Sequence, residues 1–411
     1  MTFEPSQIPS LVEKVTSAEL EKQYYGIIGL NQLASQEDNE FAIEAIVNSG
    51  VVPSMISLFK GSLQLQLKVK IFSFLESLCC WATEHIFKLV DDGIIEVFLD
   101  VLQSKASDPQ VIEVSLWGLL FVASKSVLLR DMILEQDGVG AIARVLENFS
   151  SFELKEAGTL GFAILMRGEP APHFPLVQGA VRLLCSFLDS DIEDQVFKNA
   201  LSGLVSISAN KESKKSLLDS GIVSKLVKHI TSSDGNIVAG CLRIIVNILT
   251  GVCFDQALEI VEKVKKKELV SELFKVIDHP DEIIRAMCYF ILDLFCVGTE
   301  SEVESITGNS VYVNKIIEAA RNEEILLKQI PVCCLVDLTK KCSATQIIKY
   351  LDNDILSCFV DLLEVEEERI LETALIGISD CLKWGKRLNL NDENGHNNFW
   401  LSLKGKVEEG N

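Results

Sequence analysis

Arg243 and Asn247 stand four residues apart in the otherwise apolar stretch GCLRIIVNILTG, residues 240–251. On a helix that spacing puts both side chains on one face. A guanidinium donates hydrogen bonds, and a carboxamide both donates and accepts, so the pair suits the holding of a polar chain. An isolated buried cation is costly, so the two must line a surface, a groove or an internal bond network. Covalent chemistry finds no comparable grouping. The five histidines, at 85, 173, 229, 279 and 396, are far apart with no ligand spacing, which argues against zinc and against a His-assisted nucleophile. Gly138, Gly140 and Ala143 imitate part of a dinucleotide fingerprint, but no strand precedes them. None of the twelve cysteines forms a C-x-x-C pair. Cys79–Cys80 and Cys333–Cys334 read as buried thiols of a reducing compartment. The expectation is a protein without catalytic residues, metal or cofactor.

Composition narrows the partners. The chain has 411 residues, 48% hydrophobic and only 7% aromatic, which suits many small helices packed by aliphatic contacts. Its formal net charge of −21 disfavours nucleic-acid phosphates and anionic membranes and favours basic peptides or proteins. The first residues, MTFEPSQIPS, have neither the basic nor the apolar part of a secretory signal, and no run approaches 18 uninterrupted apolar residues.

The elements that must position Arg243 and Asn247 recur along the chain. SGVVPSMISLF, DGIIEVFLDVL, DGVGAIARVL, QGAVRLLCSFL and SGIVSKLVKHI each set a polar residue and a glycine before an amphipathic helix. Their glycines, Gly50, Gly93, Gly138, Gly179 and Gly221, are 43, 45, 41 and 42 residues apart. Weaker copies begin at Lys267, Asn309 and Asn353. Short helix, glycine corner, helix, polar turn and long helix at a period near ~42 residues is the armadillo order. The fold class expected is all-α, with stacked units sharing one core. Residues 1–7 are a lead-in, 8–388 the repeat array and 389–411 a polar tail that loses the period.

Aligned through the repeats, the long third helices include CLRIIVNILTG, CYFILDLFCVG and VCCLVDLTKK. Asn247 then shares its position with Asp293 and Asp337, and Arg243 aligns with Tyr289 and Cys333. A polar residue at one site in three consecutive repeats is not a demand of core packing. An extended peptide crossing such a ladder offers backbone groups that an amide or carboxylate can satisfy. The alternative is a drifted repeat in which Asp293 and Asp337 are solvated or capping residues.

From IPSLVEKVTS and LNQLAS, through SGVVPSMISLF and LRIIVNILTG, to TALIGISDCLKWGK at 373–386, the chain resembles the importin alpha family, adaptors that carry nuclear localisation signals. The resemblance implies an armadillo-repeat right-handed superhelical solenoid and residence in both cytoplasm and nucleus. It also implies partners: basic segments of cargo proteins, importin beta and a nuclear exporter. In that family W-x-x-x-N pairs on the third helices hold cargo lysines and the cargo backbone. The repeat with Arg243 and Asn247 carries the family's R-x-x-x-N form.

The departures fall in the first half. Trp117 matches a family tryptophan, but Phe121 stands where its asparagine is expected. Ser73 and Ser77 replace the preceding pair, and Leu160 and Ile164 the following one. A slot needs two aromatic walls, so Trp117 reads as packing more than as a lysine slot. Lys125 takes the place of an expected acidic groove residue. Peptide binding is therefore expected mainly in the C-terminal half, at Arg243, Asn247, Tyr289, Asp293 and Asp337, with Trp117 the sixth candidate contact, from the first half. The chain enters its first repeat almost at once. The expectation is either that the family's long basic N-terminal segment, which recruits importin beta, lies outside this sequence, or that importin beta is not recruited that way. A scaffold that keeps the fold and binds another protein is the alternative function.

Overall fold

The computed structural model describes residues 3–35, 40–104, 107–189, 194–250, 266–350 and 355–387. Every regular element among them is helical. The predicted tail, 389–411, lies outside the described residues.

Among the described residues nine long helices carry the stacking: α1 (Leu20–Ala34), α2 (Leu65–Trp81), α3 (Pro109–Lys125), α4 (Phe152–Leu165), α5 (Gln195–Ser208), α6 (Gly235–Thr250), α7 (Glu282–Val297), α8 (Ile325–Lys341) and α9 (Glu368–Arg387). Polar turns start them. Asp108, Ser151, Asp194 and Asp281 each accept a hydrogen bond from a backbone N–H of the first turn, satisfying donors that the helix leaves unpaired. Shorter helices before each long one bury one apolar stripe, as in Ile94–Gln103, where Ile94, Ile95, Phe98, Val101 and Leu102 are buried.

The chain forms two compact units, residues 1–220 and 221–411. In the first, α1 to α5 pack in chain order; in the second, α6 to α9 do the same. Each is an all-α armadillo-type stack. The repeat period is visible in bonds between neighbouring units of the stack. The Trp384 indole donates to the Thr339 carbonyl at 2.7 Å, Gln329 donates to Thr373 at 3.0 Å, and the Cys334 thiol reaches the Tyr289 carbonyl at 3.7 Å. These partners are 44 or 45 residues apart, so α7, α8 and α9 run parallel.

The corner glycines divide. Gly50, Gly93 and Gly221 have φ of 71°, 93° and 69°, the left-handed conformation that the corner was expected to need. At the third corner Asp137 takes it instead, with φ 61°, and Gly138 begins the next helix. Gly179 is no corner at all. It sits inside the continuous helix Phe174–Phe187, which starts after the Pro-rich loop RGEPAPHFP and fuses two expected short helices. In that loop's support, Arg130 is 2% exposed and donates to the Arg167 and Pro170 carbonyls at 2.7 and 3.0 Å and to Asp131.

No single helix among the described residues is long and apolar enough to cross a membrane. Of the cysteines described, Cys79, Cys185, Cys241, Cys288, Cys296, Cys334, Cys342, Cys358 and Cys381 are buried thiols, whereas Cys80 and Cys333, expected to be buried beside their neighbours, are half-buried.

Candidate functional site

Five of the six expected contact residues fall in the second unit. On α6, Arg243 is exposed and Asn247 half-buried, while the intervening Ile244 and Ile245 are in the core. The pair shares a face because the helix turns 3.6 residues per turn, and the neighbours on the opposite stripe anchor it.

On α7 the expected rung changes. Tyr289 is only 2% exposed, and its hydroxyl donates to Glu323 Oε1 at 2.7 Å. The same carboxylate takes two bonds from Arg285, at 2.7 and 3.0 Å, and Arg285 also donates to the His279 carbonyl at 2.9 Å. Burial and Glu323 together push the Tyr289 hydroxyl pKa up. Burial alone would raise Glu323, but the bonds from Arg285 and Tyr289 outweigh it and hold the carboxyl below its usual range. Tyr289 therefore ties α7 to the turn before α8 and offers no surface to a peptide. Its alignment with Arg243 was correct in register and wrong in role, because one helical position turned inward to reach a partner 34 residues on.

Asp293 and Asp337 do lie together. Asp293 is half-buried, and its Oδ1 is buried with no hydrogen-bond partner. Desolvation first, and the neighbouring charge of Asp337 second, push its pKa up to about 6, against smaller relief from Cys334 and Lys340. Asp337 accepts from Lys340 on the next turn at 3.0 Å.

The row continues onto α9, where the sequence reading stopped short. Asp380 pairs with Lys383 at 2.7 Å, its side chain only 14% exposed, and its Oδ2 is buried without a partner. The signal was present: 247, 293, 337 and 380 are spaced by 46, 44 and 43 residues, and D-x-x-K occurs in both LVDLTKK and ISDCLKW. About two turns earlier on α8, Gln329 spends its Nε2 on Thr373 and leaves Oε1 buried and unpartnered. Three parallel helices thus present acceptors in want of donors. Unmade bonds of buried oxygens are costly, so such a row favours any ligand bearing N–H groups.

Trp117 belongs to the first unit. It is half-buried on α3 and packs on Phe121 of its own helix, centroids 6.3 Å apart and tilted 33°. On the helix before, Ser77 donates to the Ser73 carbonyl at 2.9 Å, and on the helix after, Leu160 and Ile164 are half-buried. Lys125 donates to the Cys80 carbonyl and to Thr83, both at 2.8 Å. Trp117 thus has an intrahelical aromatic neighbour and serine or aliphatic residues at the flanking rungs. Among the described residues no group of three or more His, Cys, Asp or Glu is placed to hold a metal ion.

No family model matches the chain. Its sequence is similar to importin subunit alpha-1b of Oryza sativa subsp. japonica, 25% identical over 245 residues, 59% of this chain and 45% of that protein. Importin subunits alpha-3 and alpha-2 of Arabidopsis thaliana are 24% and 25% identical, over 59% and 54% of this chain. The chain spans under half the length of these curated relatives. Among solved structures, an engineered protein aligns with a TM-score of 0.71 at 21% identity, covering 91% of this chain and 88% of its own. At that identity the likeness concerns the fold.

Proposed function

We propose that this chain, a divergent importin-alpha-like armadillo protein, is an import adaptor whose second unit binds basic nuclear localisation signals of cargo proteins. The observation that carries this reading is the file Asn247, Asp293, Asp337 and Asp380, with buried acceptor oxygens on Asp293 and Asp380. A Lys- or Arg-rich strand laid across α6 to α9 supplies backbone N–H groups and cationic heads to that file. Arg243 faces the strand's carbonyls. Charge-assisted bonds of this kind are worth about 1.5–3 kcal/mol each. The acidic chain adds long-range attraction. Cytoplasmic and nuclear residence follows from the role, as does a nuclear exporter as partner; importin beta joins them only where the basic segment that recruits it in the family is present.

The test is a fluorescence-anisotropy titration of a labelled Lys/Arg-rich signal peptide. Binding should be saturable and weakened roughly 10- to 100-fold by Asp293→Ala and by Asn247→Ala. Trp117→Ala should leave it within about twofold. A peptide that fails to saturate, or binds the variants as tightly as the parent, overturns the adaptor reading. It would favour a second reading, an armadillo scaffold for another protein. That reading draws on the first unit, where Trp117 packs on Phe121 of its own helix and the flanking rungs carry Ser, Leu and Ile.

A further inference from the structure

One feature of the second unit is not used by the carboxylate file. An open groove of about 410 Å³ lies over the N-terminal parts of α7 and α8 and the middle of α6. Val246, Ile283, Met287, Phe290, Leu326 and Ile330 line it. Leu326 is 90% exposed and Ile283 51%, an unusual outlay of aliphatic surface at one place. Glu282 and Glu324 stand on its rim, and Arg243 on its α6 side. The groove asks for a bulky apolar segment accompanied by cations.

The chain contains such a segment. After Arg387, where α9 ends, the sequence reads LNLNDENGHNN and then FWLSLKGK. Phe399, Trp400, Leu401 and Leu403 form the one apolar run of residues 388–411, and Lys404 and Lys406 follow directly. The apolar run matches the lining, and the lysines match Glu282 and Glu324.

The span fits as well. Because α8 and α9 run parallel with an offset near 45 residues, Arg387 lies level with the end of α8, beyond the groove by roughly 20 Å at 1.5 Å per residue. Crossing from α9 to the groove takes one to two helix spacings of about 10 Å each. The path is therefore on the order of 25–30 Å. The eleven residues 388–398 reach about 36 Å when extended.

We propose that Phe399–Lys406 docks in cis on this groove, its aromatic and leucine side chains on Ile283, Phe290 and Leu326 and its lysines at Glu282 and Glu324. Arg243 belongs both to the groove wall and to the proposed peptide file. The proposal does not require the cargo reading to be right.

Photo-crosslinking of the full chain tests it. A p-benzoyl-phenylalanine replaces Leu326, an exposed position that folding tolerates, and the products are mapped by mass spectrometry. The expected result is an intrachain crosslink to residues 397–406 whose yield is unchanged by tenfold dilution. That yield should fall at least threefold in Trp400→Ala and in the Glu282→Gln/Glu324→Gln pair. Absence of a crosslink to the tail overturns the proposal. So does a dilution-sensitive crosslink between two chains, which would make a second copy the occupant, or a tail crosslink indifferent to Trp400. The same photoprobe placed at the exposed Phe41 of the first unit reports random collision and should give no tail product.

Discussion

At Asp293 a carboxylate is held partly out of water beside another carboxylate, and the protonated form is favoured up to about pH 6. Its folded pKa lies above the unfolded value, so the ionised group costs stability near neutrality. That cost is relieved as the pH falls through about 6 toward 4. Asp293→Asn should therefore stabilise the fold at pH 7 by on the order of 1–3 kcal/mol, seen as a higher melting temperature, and have little effect at pH 4.5. Thermal melts at the two values check it. If the proposed function is right, the same variant should lose peptide affinity. In the parent that affinity should rise between pH 5 and 7 as Asp293 ionises, while the variant's profile stays flatter. Glu323 behaves oppositely. Its depressed pKa means that its contribution is present above the unfolded value and lost as the pH falls through the folded one. Removing one partner of this buried, bidentate pair, as in Glu323→Ala, should cost about 3 kcal/mol in a denaturant titration. These two carboxylates show what sequence spacing conveys. Asp293, Asp337 and Asp380 repeat at the stack period and are legible from it. Tyr289 satisfies the same register, yet its direction is decided by Glu323, a partner that no local pattern reveals.

Helix geometry decides which glycines matter. Gly221 has φ 69° and open space around it, so a methyl group meets no neighbour but does meet the backbone penalty of the left-handed region. Gly221→Ala should destabilise by about 1–2 kcal/mol. Gly179 lies mid-helix with ordinary room for a Cβ, and Gly179→Ala should stabilise by about 0.5–1 kcal/mol. Equilibrium urea unfolding of the two variants, compared with the parent, checks the opposite signs. The five glycines look alike in sequence. What separates Gly179 is that the preceding short helix runs unbroken into the next, beginning at Phe174 with Pro175 in its first turn, so that no corner falls at the glycine. Close packing singles out two further positions. A Cβ on Gly118 would come within 2.4 Å of the Phe98 ring, and one on Gly377 within 2.4 Å of Phe359. Both ask the long helix to approach the preceding one more closely than alanine permits. Gly118→Ala should cost about 1–3 kcal/mol through displaced rings. The period and the order of helices were legible, because aliphatic periodicity and turn residues are local. These close approaches were not, because they depend on which side chain of another helix points at the gap.

For the whole molecule, charge is the property with the longest reach: 59 acidic against 38 basic side chains give −21. Attraction for a basic peptide should weaken severalfold between about 50 and 500 mM salt, as the screening length shrinks from more than 10 Å to about 4 Å. Anisotropy at the two salt concentrations measures it, and a salt-insensitive affinity would point to apolar contacts instead. Yet the file itself is not bare. Lys340 already sits on Asp337 and Lys383 on Asp380, each one turn along the same helix. An arriving ammonium can only trade places with one that is native, and trading like for like yields little. The surplus must come from what the resident amines leave unsatisfied, the inner oxygens of Asp293 and Asp380. A planar, many-pronged guanidinium reaches two acceptors at once where a lysine reaches as a point. If the proposed function is right, the surface works as a cation exchanger biased toward arginine.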